Sequence, residues 1–171
     1  MLTFSFLESG IGWTIMGAMA ALVLGGAGSA IGISIAAGQG AGVMSEKPNL
    51  FGKVFVLILL PGTQGLYGMV YAFLVASFTG LLKGVEVANQ MTPGIGGALG
   101  AVGVCLGIVL LASAKAQGQA SAAAINLLAK KEDQFGRGII LPALVETYAV
   151  FGLLMSILML VWLLVPGTTV A

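Results

Sequence analysis

The sequence contains no histidine, a single cysteine and few charges, which make up only 8% of its 171 residues. The lone Cys105 excludes an internal disulfide and a metal site built from several cysteines. Without histidine, a cysteine pair or a Gly-x-Ser-x-Gly motif, the chain lacks the usual groups of hydrolytic or redox enzymes, so no catalytic site is expected. The net charge of +1 and the absence of a basic run argue against nucleic-acid binding.

Apolar residues dominate the chain at 58%, more than a soluble fold can bury, which indicates an integral membrane protein. Apolar runs cover residues 10–44, 54–82, 94–128 and 138–165, each longer than the roughly 20 residues that cross a bilayer. Because backbone groups in lipid must form hydrogen bonds within their own segment, we expect an all-α membrane protein with four transmembrane helices. No cleaved signal is expected, because the first ten residues carry Glu8 and lack a basic segment.

Charged residues cluster between the apolar runs and predict the orientation of the chain. Five of the seven basic residues fall in loops 45–53 and 129–137, whereas the middle connection holds only Lys83 and Glu86. The positive-inside rule then places these two loops in the cytoplasm and both termini outside. The sequence therefore predicts a multi-pass protein of the cell membrane.

Motifs of the first half recur in the second half, which indicates an internal duplication. The matches keep a spacing of 84 up to the charged loops and a spacing of 81 beyond them, so the two copies differ by a short insertion or deletion. The matching pairs are Ser29-Ala30 with Ser113-Ala114, Phe51-Gly52-Lys53 with Phe135-Gly136-Arg137, Leu60-Pro61 with Leu141-Pro142, and Tyr67 with Tyr148.

The duplication divides the chain into two helical hairpins, residues 1–86 and 87–171. At a spacing of 81, Gly65 in the first hairpin corresponds to Glu146 in the second. Only the second hairpin therefore carries an acidic residue within its apolar runs.

Glycines recur in the leading span of each hairpin: Gly25, Gly28 and Gly32 in the first span, and Gly96, Gly100, Gly103 and Gly107 in the third. Small residues at this spacing let helices approach closely in lipid. We expect an inner layer of small-residue helices and an outer layer of bulkier helices facing lipid. The glycine faces favour lateral repetition of the subunit, with packing inside one subunit as the alternative.

Glu146 is the only carboxylate within the four apolar runs. A charge near the bilayer centre costs at least about 2.5–3.5 kcal/mol, and such residues usually mark ion or proton pathways. Counted from the nearest charged loop, Gln64, Gln117 and Glu146 all lie roughly 14–18 Å into the membrane. Thr63 and Tyr67 share the helical stripe of Gln64.

These oxygen-bearing groups suit a hard cation whose single charge the carboxylate balances. The alternative is that the amides and hydroxyls only hold neighbouring helices together. Pro61 and Pro142 precede the polar residues, and a helical proline removes one backbone hydrogen bond and tends to kink the helix. Such local loosening would let a backbone carbonyl, that of Leu60, join the ligands; the alternative is a simple bend that fits the packing.

Four motifs together resemble the duplicated proteolipid of bacterial V-type (V/A-type) ATPases, the membrane rotor component known as K or c: Leu60-Pro61-Gly62-Thr63-Gln64-Gly65-Leu66-Tyr67-Gly68, Ala116-Gln117-Gly118, Leu128-Ala129-Lys130-Lys131 and Val145-Glu146-Thr147-Tyr148-Ala149. The resemblance implies a non-catalytic subunit repeated in a ring. That ring would turn in lipid against a stator membrane subunit of the I or a type, and would be attached to a central-stalk subunit.

The resemblance also implies a role for each residue of the polar set. Glu146 would be the essential carboxylate, and Tyr67 would hold it by a hydrogen bond. A sodium shell would be completed by Thr63, Gln64, Gln117 and the backbone carbonyl of Leu60. Family members without this polar set transport protons, so Na⁺ is the expected ion and H⁺ the alternative.

Lys115 departs from the family pattern, which has an apolar residue in this part of the third span. At about 100° per residue it points some 200° away from Gln117, so it is expected outside the ion site, in the ring interior or against lipid or a neighbouring helix. A contact with Glu146 would instead neutralise the carboxylate and remove the need for a cation. A small secondary transporter or channel and a purely structural four-span protein are the alternatives of other classes.

Overall fold

The computed structural model describes residues 8–83 and 91–164, which are helical with short connections and, over these two ranges, contain no strand. Its helices are α1 (Gly10–Glu46), α2 (Phe51–Leu59), α3 (Thr63–Phe78), α4 (Pro93–Lys130), α5 (Phe135–Gly138) and α6 (Ile140–Leu164). Short 3₁₀ turns at Pro48–Leu50 and Leu60–Gly62 make α2 and α3 one continuous span. The predicted all-α class is confirmed.

Four helical stretches are long and apolar enough to cross a membrane: Gly10–Glu46, Pro48–Phe78, Pro93–Lys130 and Phe135–Leu164. They are the first to fourth spans below. The predicted boundary between the hairpins, Glu86, both chain termini and the predicted end of the fourth span at residue 165 lie outside the described residues.

The second span ends at Phe78 rather than at the predicted residue 82. The backbone N–H and the hydroxyl of Thr79 both donate to the carbonyl of Val75, and Gly80 then takes a φ of 74°. This left-handed conformation suits glycine and ends the helix.

At the start of the two inner helices, the side chains of Ser9 and Thr92 cap α1 and α4 by accepting from Gly12 and Ile95.

The two glycine-rich helices α1 and α4 pack against each other along their length. A Cβ added at Gly103 would overlap the backbone of Gly17, and one added at Gly118 would overlap that of Gly32. The expectation that the named glycines serve lateral repetition is therefore wrong, because every one of them faces another span of the same chain: Gly25, Gly28, Gly32, Gly96, Gly100, Gly103 and Gly107. Close contact of backbones inside one subunit explains their spacing.

The second span packs on α1 and the fourth span packs on α4. Their exposed residues are large and apolar, for example Phe73 and Phe151, each 62% exposed. Two apolar clusters fill the interior, one around Tyr71 and Leu106 and the other around Leu57 and Ile125. Along their spans, Gln64, Gln117 and Glu146 lie between the residues of these two clusters.

At the charged end of the molecule, Glu132 of the loop 129–137 contacts the lysines of the loop 45–53. Its carboxylate lies 2.8 Å from the ammonium of Lys47, and its backbone carbonyl accepts from Lys53 at 2.8 Å. The Lys47 ammonium also donates to the carbonyl of Ala129 at 2.9 Å. Hydrogen bonding and charge from Lys47 lower the pKa of the Glu132 carboxyl.

Candidate ion site

The second span carries a 3₁₀ turn where Pro61 interrupts the helix. Pro61 has no N–H to donate, and the chain tightens over Leu60–Gly62 before α3 begins at Thr63. The carbonyl of Leu60 accepts from both the backbone N–H and the hydroxyl of Thr63, the latter at 3.1 Å. The turn thus presents two oxygens, the Leu60 carbonyl and the Thr63 hydroxyl, side by side.

Gln64 and Gln117 are both completely buried, and their amides meet between the second and third spans. The Nε2 of Gln64 donates to the Oε1 of Gln117 at 2.5 Å, while the hydroxyl of Thr63 donates to the Oε1 of Gln64 at 3.4 Å. Two amides buried in an apolar interior would be costly without such partners.

Glu146 connects the fourth span to this pair of amides. Its Oε1 accepts from the hydroxyl of Tyr67 at 2.7 Å, and its Oε2 accepts from the Nε2 of Gln117 at 3.5 Å. The carboxylate therefore has donors on both the second and the third span. The structure brings all the predicted site residues into one hydrogen-bonded chain, which runs through Leu60, Thr63, Gln64, Gln117, Glu146 and Tyr67.

Ser113 is a member of this network that the sequence analysis did not select. Its buried hydroxyl donates to the carbonyl of Val145 at 3.3 Å and accepts from the Nε2 of Gln64 at 3.4 Å. Two signals pointed to it: Ser113 lies one helical turn before Gln117, and it belongs to the repeated Ser-Ala motif.

Lys115 lies outside the site, as its helical angle predicted. Its side chain is exposed on α4, and within residues 8–83 and 91–164 it forms no ion pair with Glu146. The carboxylate is therefore not neutralised by this lysine.

The carboxylate of Glu146 is within reach of the outer surface of the subunit. Beside it, a shallow depression of about 260 Å³ is lined by Ala143, Thr147, Val150 and Phe151. Glu146 thus accepts hydrogen bonds from Tyr67 and Gln117 and also lines this depression on the surface of α6.

The fold and the site define a duplicated helical membrane subunit with one carboxylate inside its spans. The sequence profile of the ATP synthase C-subunit family matches the chain twice, at residues 16–75 and 100–159. The chain therefore belongs to the ATP synthase C-subunit family, in a duplicated form. This membership decides against the small secondary transporter and the structural protein that the sequence left open.

Two relatives match nearly the whole chain. The V-type sodium ATPase subunit K of Enterococcus hirae is 37% identical over 154 residues, which cover 89% of this chain and 92% of that protein. The A-type ATP synthase subunit K of Methanocaldococcus jannaschii is 38% identical over 146 residues, which cover 85% of this chain and 60% of that protein.

Proposed function

We propose that this chain is the rotor subunit of a V-type or A-type rotary ATPase, and that each copy carries one Na⁺ on Glu146. The observation that carries the proposal is the meeting of a carboxylate, two amides, a hydroxyl and a backbone carbonyl between three spans. The relative named as a sodium ATPase subunit K supports the choice of ion.

The donor set favours Na⁺ over H⁺. A proton needs only one oxygen of Glu146, whereas a sodium ion needs several oxygens to replace its water. The proposed ligands are the carboxylate of Glu146, the side-chain oxygens of Thr63, Gln64 and Gln117, and the carbonyl of Leu60. The Oε1 of Gln117, which accepts from Gln64, would turn to the ion when the site is loaded.

Loading and release follow from the charge of Glu146. A bound cation neutralises the carboxylate, so that the copy can turn through lipid without a bare charge in the hydrocarbon. A cationic residue of the stator membrane subunit would displace the ion where Glu146 opens to the surface depression. A central-stalk subunit would link this rotation to the ATPase. The driving force for rotation is the free energy of moving the ion, about 2.3 kcal/mol for one charge that crosses 100 mV.

Carbodiimide labelling of Glu146, in purified protein returned to a membrane, tests whether the carried ion is Na⁺. Carbodiimides react with protonated carboxyls, so Na⁺ is expected to slow the labelling of the wild-type chain, and Glu146→Gln should remove the label. Gln117→Leu should raise the Na⁺ concentration for half-protection about tenfold or more, because a ligand oxygen to a charged group is lost.

Gln119→Leu is the matched control, because Gln119 is an exposed amide two residues further along α4. Its half-protection concentration should equal that of the wild type. Labelling that is insensitive to Na⁺ at a pH where the carboxyl reacts would contradict the sodium proposal and favour a proton-carrying ring.

A further inference from the structure

We infer that Ser113 is a positioning residue of the ion site, whose hydroxyl keeps the amide oxygen of Gln64 turned towards the cation. The inference rests on the proposed sodium function and adds to it a side chain that is not itself an ion ligand. It is carried by the directions of the hydrogen bonds that Ser113 makes and by the donors that the Gln64 amide has to place.

The amide of Gln64 is fully buried and has two N–H donors and one oxygen to satisfy. Its Nε2 donates to the Oε1 of Gln117 at 2.5 Å and to the hydroxyl of Ser113 at 3.4 Å, so both acceptors lie on α4. Its Oε1 instead accepts from the hydroxyl of Thr63 at 3.4 Å. The acceptors on α4 therefore decide which end of the Gln64 amide faces Thr63.

Ser113 can accept from Gln64 because its own proton is used elsewhere. A serine hydroxyl has one proton to donate and two lone pairs that accept. The hydroxyl of Ser113 donates to the carbonyl of Val145 on α6 at 3.3 Å, and its lone pairs remain for the N–H of Gln64. The contact with α6 thus sets the direction of the contact with Gln64.

The counterpart of Ser113 in the first hairpin, Ser29, uses its hydroxyl in the opposite direction. Ser29 lies 84 residues before Ser113 and accepts from the backbone N–H of Gly65 at 2.8 Å. Each serine joins a glycine-rich helix to the helix packed on it, and Ser113 in addition reaches a side chain of the ion site. The repeat therefore separates a packing role, which both serines share, from a role in ion binding.

Binding of the cation increases the importance of Ser113. When the Oε1 of Gln117 turns to the ion, it releases the N–H of Gln64, and a buried N–H without a partner is costly. The Gln64 amide would then gain by rotating half a turn and donating to Thr63, which would place its nitrogen where the cation needs an oxygen. Ser113 opposes this rotation, because it accepts the N–H that Gln117 releases.

The same contacts predict that Ser113 affects the binding of sodium and not that of a proton. A proton binds to an oxygen of Glu146, whose hydrogen-bond donors are Tyr67 and Gln117. The partners of the Ser113 hydroxyl are instead Val145 and Gln64. Without sodium, Gln117 stays available to Gln64, so loss of the Ser113 hydroxyl should leave the protonation of the carboxyl unchanged.

Carbodiimide labelling of Glu146 in a Ser113→Ala variant tests this role. The Na⁺ concentration for half-protection should rise about 3–10-fold, as expected for one lost hydrogen bond between neutral groups. The rate of labelling without sodium should equal that of the wild type at each pH. Ser113→Thr keeps the hydroxyl, and its methyl has room because Ser113 lines a groove of about 760 Å³ between α4 and α6, so this variant should be protected like the wild type.

Ser121→Ala is the matched control, because Ser121 is a fully buried serine on the same helix. Among the described residues its hydroxyl has no hydrogen-bond partner. Its half-protection concentration should equal that of the wild type.

A second substitution separates the contact with Gln64 from the contact with Val145. Gln64→Met removes the amide and keeps a side chain of similar length, so it should itself raise the half-protection concentration. Adding Ser113→Ala to Gln64→Met should raise that concentration no further, although it still removes the hydrogen bond to Val145.

Equal half-protection concentrations for Ser113→Ala and a sodium-protected wild type would overturn the role of Ser113 and leave the sodium proposal standing. A changed labelling rate without sodium, or a further loss of protection when Ser113→Ala is added to Gln64→Met, would also overturn it, because either result indicates packing alone. A wild type that sodium does not protect would overturn the sodium proposal, and this inference with it.

Discussion

At the scale of single residues, Tyr67 is the side chain that fixes the carboxylate. Its hydroxyl lies 2.7 Å from Glu146, closer than the amide of Gln117 at 3.5 Å. A phenol that donates to one carboxylate oxygen leaves the other oxygen free to face the amides. Tyr67 thereby joins the second span to the fourth and orients Glu146 towards the amide of Gln117.

Replacing this phenol should weaken ion retention without removing an ion ligand. A hydrogen bond to a charged group contributes about 1.5–3 kcal/mol, so Tyr67→Phe should speed the release of bound Na⁺ roughly tenfold or more. The measurement is the rate at which radioactive sodium leaves preloaded protein.

Tyr71→Phe is the control for that experiment. Tyr71 lies one turn further along α3, is fully buried, and among the described residues its hydroxyl has no hydrogen-bond partner. Its loss should leave the release rate unchanged. Equal rates for the two variants would contradict the role assigned to Tyr67.

The meeting of Gln64, Gln117 and Glu146 could be predicted from the sequence. A helix rises by a fixed distance per residue, so counting residues from the charged loops places all three at one depth in the membrane. The contact of Ser113 with the Val145 carbonyl could not. A serine hydroxyl reaches the backbone of a neighbouring helix only at one particular rotation and separation of the two helices. Side-chain packing across the whole interface sets that rotation and separation.

At the scale of helices, the contact of α1 with α4 depends on glycines that touch backbone. A Cβ at Gly118 would overlap the backbone of Gly32, whereas one at Gly97 on the same helix meets nothing within 4 Å. The same substitution on one helix should therefore have different consequences at the two positions.

Gly118→Ala should destabilise the subunit by about 1–3 kcal/mol, the usual cost of overpacking, and Gly97→Ala should be neutral. Thermal unfolding of the two variants in detergent, followed by the loss of helical circular dichroism, measures the difference. A melting temperature that falls equally in both, or in neither, would contradict the backbone contact described here.

The sequence predicted four helices and two layers, but not which small residues face which neighbour. Gly26 and Ala30 on one side of α1 are as small as Gly25 and Gly32 on the other, so residue size alone could not separate the inner face from the open one. The end of the second span at Phe78 was also missed, because Leu81 and Leu82 continue the apolar run beyond the turn at Gly80.

At the scale of the whole molecule, duplication has produced two similar hairpins with unequal chemistry. The second hairpin brings Gln117 and Glu146 to the junction inside the chain, and the first brings Gln64 and Tyr67. Neither hairpin holds the complete ligand set. An ion site of this kind therefore requires both halves of one chain. Glu132 and the lysines of the first loop hold the two halves together at the charged end of the spans.

Equilibrium binding of radioactive sodium to the purified ring tests the central claim most directly, namely that oxygens from three spans bind one cation at Glu146. We expect one Na⁺ per chain in the wild type, displaced as the pH falls and protons take the carboxylate, and none in Glu146→Gln. A wild-type ring that binds no sodium, or that binds it equally well after Glu146→Gln, would contradict the account.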